Sequence, residues 1–428
     1  MAGLDGLRAI AVMAVIAYHL NLGWAPGGLL GVGVFFVLSG YLITDLLLAQ
    51  HDSSGRIALA QFWVRRARRL LPALWVMLVV VIVWVAVAQP SQMNAMRGDV
   101  FASFLYVSNW WYVVQHLSYF ASFGPPSPLG HLWSLAVEEQ FYLLWPLLLI
   151  VAARFVRNRR IVVLLVVLGA IGSATAMGLL FQPGGDPNRT YYGTDTRAFE
   201  LLIGAALAMV WPSRRMVHRI ARNRRVLLDI TGAAGLLVIG AMVWTTNQDS
   251  AFIYRGGLVL LSFAAAAAVA ALAHPSTWVS RILGAQPLRW IGVRSYGIYL
   301  WHFPIIVLTT PIVDTPGAHW VRSALQLAAC IAIAALSWRY IEDPIRRGGV
   351  KRVAERVRAV RWPIVGLPAG LWDAVAASSV PVLFAGAGVA GVVAITGGST
   401  VSELTASATG PGRGAPVSLT QPCARSSL

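Results

Sequence analysis

The chain is predicted to be an all-α integral membrane protein, and three observations predict it. Of its 428 residues, 57% are hydrophobic and only 12% charged, with a mean hydropathy of +0.67, the composition of a polytopic membrane protein. Apolar runs long enough to span a bilayer lie near 4–22, 29–49, 70–88, 131–153, 161–181, 194–212, 226–245, 256–273, 295–312, 319–340 and 375–397. Arginine concentrates in alternate connections between those runs, as the positive-inside rule requires. A formal charge of +17 would suggest nucleic acid in a soluble protein. Here the charge sits in short loops between apolar segments, so the lipid bilayer accounts for it and no nucleic-acid partner is expected. The 17 Trp and 12 Tyr suit interfacial anchoring. The two cysteines, Cys330 in an apolar run and Cys423 in the tail, make neither a disulfide framework nor a metal site, and no metal is expected.

Loop charge sets the predicted topology. The connections 50–69, 154–160, 212–225, 274–294 and 341–362 hold five, four, six, three and seven Lys or Arg. The segments on the other side hold only Arg97, Arg189, Arg255, Arg413 and Arg425. The basic connections belong in the cytoplasm of a multi-pass inner (plasma) membrane protein, with the amino terminus inside and the carboxyl terminus outside. The alternation closes only if 99–116 does not cross. That segment is polar at Ser103, Ser108, Asn109 and Gln115. With the Pro125-Pro126-Ser127-Pro128 turn it makes 99–130 a predicted re-entrant or lid segment. Ten helices then form a bundle, and an eleventh follows.

The first helix sets the chemistry. It carries Asp5, Arg8 and His19 in an otherwise apolar stretch. Eleven residues are about three turns, so Arg8 and His19 share one face roughly 16 Å apart along the axis. Ionisable groups inside a bilayer are costly and mark functional sites facing the protein interior. A signal anchor also starts charged and continues apolar. Here, however, the charges lie within the apolar run and no small-residue cleavage site follows. Histidine is suited to take and return a proton near neutral pH.

On the second helix, small residues at Gly31, Gly33, Ser39 and Gly40 permit close helix approach, and Ser39 and Tyr41 are candidates to line a cavity. At the cytoplasmic entrance of the third helix stand Arg65, Arg66, Arg68 and Arg69. Arg65, Arg68 and Arg69 share one face, and Arg66 with Arg69 a neighbouring one. So many guanidinium groups suit a polyanion such as nucleotide phosphates, although anchoring by the positive-inside rule also explains an arginine cluster.

The fourth helix opens His131, Leu132, Trp133, Ser134 and continues to Glu138 and Glu139. His131, Ser134 and Glu138 fall on one face, expected at the outer side, level with His19. Adjacent carboxylates entering a membrane helix need partners. On the sixth helix Arg197 and Glu200 are three residues apart and can neutralise one another, as a structural pair or as a substrate contact. On the ninth, Ser295, Tyr299 and His302 line one face. Beyond 341 come a basic linker (348–374, including an amphipathic surface stretch), the eleventh helix (375–397) and a Gly/Ser/Thr/Pro/Ala-rich tail (398–428) expected to be flexible and extracytoplasmic.

In combination these features resemble acyltransferase family 3 membrane proteins. The carriers are the spacing from Arg8 to His19, the segment from Phe36 to Tyr41, the arginines at 65–69 with Pro72, the run from Trp133 to Phe141, Asp195 to Glu200, Ser295 to Pro304, and Glu342 to Pro344. The resemblance spans about 1–347, the expected acyltransferase domain. It implies a ten-helix bundle, a cytoplasmic acyl-CoA donor (acetyl-CoA or another short acyl-CoA), and an acceptor hydroxyl on an envelope glycan, lipid-linked sugar or glycolipid. Many members continue from an eleventh helix into an SGNH esterase-like domain. On this reading the chain has that helix without room for the domain, which leaves three alternatives: a truncated form, a naturally short form, or an SGNH partner in trans.

Joined to the residue-level reading, this assigns Arg65, Arg66, Arg68 and Arg69 to the donor phosphates, with the pantetheine arm threading past Arg8. His19 is the expected general base or acyl relay, oriented or charge-balanced by Glu139 or Glu138. Ser39, Tyr41, His131, Trp133, Ser134, Arg197, Glu200, Tyr299 and His302 are the expected substrate contacts. A transporter or flippase for an envelope precursor is the main alternative, because buried charges also mark permeation paths. The related halves or paired broken helices of many transporters are not seen. A polyprenyl-dependent glycosyltransferase would show acidic residues in the first outer loop, and 23–28 has none.

Overall fold

The computed structural model describes residues 1–117, 126–216, 220–311 and 319–347. Within them the chain begins with α1 (Ala2–His19), α2 (Gly31–Ser54) and α3 (Leu59–Ala88). Two short helices, α4 (Met93–Phe104) and α5 (Ser108–Val114), precede α6 (Leu132–Phe155) and α7 (Arg159–Leu180). One turn of helix, α8 (Asn188–Tyr192), leads into α9 (Thr194–Val210). Then come α10 (Arg222–Thr245), α11 (Leu258–Ala273), α12 (Trp278–Leu283) and α13 (Leu288–Val293). The described part closes with α14 (Ser295–Thr309), α15 (His319–Ser337) and α16 (Asp343–Arg346).

Every regular element among the described residues is a helix, and eight helices are long and apolar enough to cross a membrane. The outward faces of α3, α7 and α10 expose Val79, Val83, Leu164, Leu168, Leu227 and Leu237. Large apolar side chains in such numbers belong against lipid, not water. The chain is therefore a multi-pass membrane protein. The shorter α9 and α14, of 17 and 15 residues, contribute many buried residues to the interior. The basic linker, the eleventh helix, the tail and Pro125 lie outside the described residues.

The expected start of the third helix needs correction. Apolarity marks the beginning of the span at residue 70, yet α3 begins at Leu59, so the arginine cluster is helical, in keeping with the helical faces expected of it. Ala, Arg, Gln and Leu favour helix, and a helix continues past the bilayer wherever propensity allows. Apolarity detects only the part inside lipid.

The segment 99–116 is broken into α4 and α5, with Tyr106 between them at φ 56°. Helices of 12 and 7 residues extend about 18 and 10 Å, too short to span. They fold back on each other, the Trp111 Nε1–H donating to Asp99 Oδ1 at 2.9 Å. Burial pushes the Asp99 carboxyl above its ordinary range, and the hydrogen bonds from Ser127 and Trp111 offset part of that.

Two close approaches fix the helices that carry the site. A Cβ on Gly40 would overlap the Leu201 carbonyl, and one on Gly204 the Val37 carbonyl, so α2 and α9 meet backbone to backbone. A Cβ on Gly292 would overlap the Asp5 carbonyl, which clasps the start of α1 against α13. Gly40→Val is expected to lower the melting temperature of the detergent-purified protein by several degrees or abolish its folding, because overpacking costs about 1–3 kcal/mol or more. An unchanged melting curve would contradict the contact.

Candidate active site

A cavity of ≈ 380 Å³ opens among α1, α2, α3, α6 and α14 at the end of the bundle that carries the basic loops. Its polar wall comprises Arg8, Arg66, Arg69, Ser39, Glu138 and Tyr142. Glu138 accepts from the Ser39 hydroxyl at 2.8 Å and the Tyr142 hydroxyl at 3.1 Å. The Arg66 guanidinium stands 4.8 Å from the Tyr142 ring centre. Asp45, also on the wall, is occupied by the backbone N–H and hydroxyl of Ser213. Three guanidinium groups thus share the wall with the carboxylates of Glu138 and Asp45, and the cluster of guanidinium groups suits an anionic guest.

Helix geometry divides the four clustered arginines. Arg66 and Arg69 are one turn apart on the face toward the cavity. Arg65 is exposed. Arg68 is half-buried, with its Nε lacking a hydrogen-bond partner, and neither it nor Arg65 lines the wall.

The inner end of the cavity is a septum. Tyr299 and Ser134 both line it, their hydroxyls 2.6 Å apart. Each also reaches the His131 carbonyl, at 3.1 Å from Tyr299 and 3.3 Å from Ser134. Behind Tyr299 lie three histidines. His302 Nδ1 sits 2.5 Å from the Tyr299 carbonyl, and its Nε2 lies 3.1 Å from His19 Nδ1. His19 Nδ1 in turn lies 2.8 Å from the Val15 carbonyl. The His131 ring is 5.5 Å from that of His302. Pro304 accounts for the position of His131. Having no N–H, it leaves the Leu300 carbonyl without its helical donor, and His131 Nε2–H fills the gap at 3.1 Å.

The structure therefore brings His19, His131, Ser134, Tyr299 and His302 together, and sets Arg8, Ser39, Glu138, Arg66 and Arg69 around the adjoining cavity. Glu138 corrects an expectation. It was expected level with His19, but it lies among Ser39, Tyr142, Arg8 and Arg66. Seven residues separate His131 from Glu138, about 10 Å of helix rise, which carries the carboxylate to the Arg8 end of α1. Glu139 is acted on by Arg66 and Arg69, again at that end. Among the described residues His19 contacts His302 and the Val15 carbonyl, not a carboxylate of this pair.

Tyr41 is buried away from the cavity, its hydroxyl donating to the Trp211 carbonyl at 3.1 Å. Trp133, Arg197 and Glu200 form a separate buried box. Arg197 pairs with Glu200 at 3.0 Å and stands 5.1–5.5 Å from the rings of Phe36, Trp133 and Tyr191. Phe35 and Tyr142, which also line the cavity, were not singled out from the sequence. Tyr142 had a signal, being one turn from Glu138. Among the described residues no group of three His, Cys, Asp or Glu side chains could hold a metal ion.

Comparison with known proteins gives the following. Residues 1–341 match the family model described as an acyltransferase domain. The chain is 50% identical over 346 residues to a Listeria monocytogenes protein named peptidoglycan O-acetyltransferase OatA, covering 81% of this chain and 56% of that one. It is 46% identical over 356 residues to a Bacillus subtilis protein named putative peptidoglycan O-acetyltransferase YrhL, covering 83% and 56%. Against a Staphylococcus aureus protein named O-acetyltransferase OatA, identity is 40% over 354 residues, covering 83% and 58%. The chain thus spans little more than half the length of these curated relatives. No solved structure matches it.

Proposed function

The chain belongs to acyltransferase family 3, and from that premise we propose that it moves a short acyl group from acyl-CoA to a hydroxyl of a cell-envelope glycan. The names of its relatives, peptidoglycan O-acetyltransferases, support acetyl as the group and peptidoglycan as the acceptor. One observation carries the reading. A cavity walled by Arg8, Arg66 and Arg69 ends on Tyr299 and Ser134, directly in front of the His302–His19 pair.

In this reading the donor phosphates rest on Arg66 and Arg69, with Arg65 and Arg68 as outlying charge near the entrance. Glu138, held by Ser39 and Tyr142, balances the guanidinium groups when no donor is bound. The acyl arm passes Arg8 and points its thioester at Tyr299 and Ser134, whose contact must part for the acyl group to reach His19. His19 takes the proton of the acceptor hydroxyl as the oxygen attacks the thioester carbonyl. The new C–O bond forms, the C–S bond breaks, and the proton passes to the departing thiolate. The same imidazole could instead accept the acyl group and hand it on. Enclosure by protein limits loss of the thioester to water.

The positive-inside rule supports a cytoplasmic cavity mouth and a histidine cluster toward the outer face. The partition with 1–347 as the catalytic unit, and an SGNH-type partner acting on the outer side, belong to the same proposal. The test is the purified chain in lipid nanodiscs, given acetyl-CoA labelled in the acetyl group and soluble peptidoglycan fragments. Protein-dependent transfer of label to the fragments is the expected result. Movement of the glycan across the bilayer without acylation would favour the transporter alternative and overturn this one.

A further inference from the structure

We infer that His302 is a positioning residue, holding His19 in the tautomer and orientation that a general base requires; this rests on the reading of His19 as the base. Two backbone carbonyls set the proton positions. The Tyr299 carbonyl has no proton to give, so His302 Nδ1, 2.5 Å away, carries one. In a neutral ring that leaves His302 Nε2 as a bare acceptor. The Val15 carbonyl, 2.8 Å from His19 Nδ1, likewise requires a proton there. That proton is shared with His302 Nε2 at 3.1 Å, and the basic lone pair of His19 lies on Nε2.

The arrangement does for His19 what a buried carboxylate does in a hydrolase triad, namely fix the ring and its tautomer. It does so with a neutral imidazole, which places no second charge in the bundle. When His19 Nε2 takes a proton, its Nδ1–H becomes a stronger donor and His302 Nε2 is in place to receive it. The surroundings hold the pair. His302 is fully buried, and Phe303 meets the His19 ring edge-on at 4.9 Å. The Tyr18 ring meets His19 edge-on at 5.2 Å. The neighbouring titratable groups, His131 and Tyr299, are themselves engaged, His131 with Leu300 and Tyr299 with Ser134. Pro304 ties the arrangement to the sequence, because the carbonyl it frees is the one that seats His131 beside His302.

Glutamine and asparagine at position 302 separate positioning from mere packing. The glutamine amide can reach the place of Nε2 and accept from His19. The shorter asparagine amide mimics Nδ1 and keeps only the Tyr299 contact. Transfer of label from acetyl-CoA to peptidoglycan fragments is measured for wild type, His302→Gln, His302→Asn and His302→Phe. His302→Gln is expected within about threefold of wild type. Asparagine and phenylalanine are expected to lower kcat about a hundredfold, the lower range of a general-base contribution, with KM for acetyl-CoA unchanged. Equal kcat for glutamine and asparagine, or a loss confined to KM, would overturn the inference. If the phenylalanine variant does not fold, the two amide variants still decide. A parallel His19→Ala sample separates the two readings. Activity in it overturns the base assignment itself, whereas its inactivity beside equal amide variants overturns only the role of His302.

Discussion

Replacing His19 with alanine is expected to lower acyl transfer at least a hundredfold while the protein remains folded and still binds acetyl-CoA. Position supports both halves of that expectation. His19 does not line the cavity; it stands behind Tyr299, joined to it through His302. Removing its imidazole therefore deletes a base, worth about 10²–10⁴ in rate, without touching the arginines that would hold the donor. Transfer is read from labelled acetyl-CoA, and folding from the monodispersity and melting temperature of the same preparation. Activity near that of wild type would sink the assignment of the base.

Arg66→Ala and Arg69→Ala are expected to raise KM for acetyl-CoA about ten- to a hundredfold each, since a hydrogen bond to a charged group contributes about 1.5–3 kcal/mol and each lost guanidinium also removes a half-buried positive charge from the wall. Arg65→Ala is the control within the same cluster. Its side chain is exposed and off the cavity, so a change under about threefold is expected, the worth of a solvent-screened charge. Equal effects at 65, 66 and 69 would mean that the cluster acts as a diffuse surface field and not as a cavity wall.

The sequence showed the bundle clearly because bilayer physics is written in composition. Apolar length, loop arginines and the polarity of 99–116 are one-dimensional signals, and α4 with α5 has the broken, non-spanning form that loop charge demanded. Face relationships within one helix were equally legible. Ser295, Tyr299 and His302 follow from spacing alone, and so does the partnership of Arg66 with Arg69.

Relations between helices were less legible. The depth of Glu138 depends on where α6 starts and on which end of α1 it meets, so level-with-His19 became level-with-Arg8. Tyr41 shares α2 with Ser39, but two residues on a helix turn the side chain about 200°, toward Trp211 and away from the cavity. The pairing of His302 with His19 spans 283 positions, and no local pattern announces it. Pro304 was the overlooked clue, because a proline inside a membrane helix frees a carbonyl that some other side chain must satisfy.

In the proposed mechanism donor binding and proton transfer are separate parts of one site, set apart along α1 by the spacing of Arg8 and His19. The most direct measurement is paired, acetyl-CoA affinity and acyl transfer on the same preparations of wild type, His19→Ala and the Arg66→Ala/Arg69→Ala double variant. The prediction is that His19→Ala binds acetyl-CoA like wild type yet transfers nothing, while the double arginine variant loses binding. Loss of binding in His19→Ala, or full affinity in the double arginine variant, would contradict it.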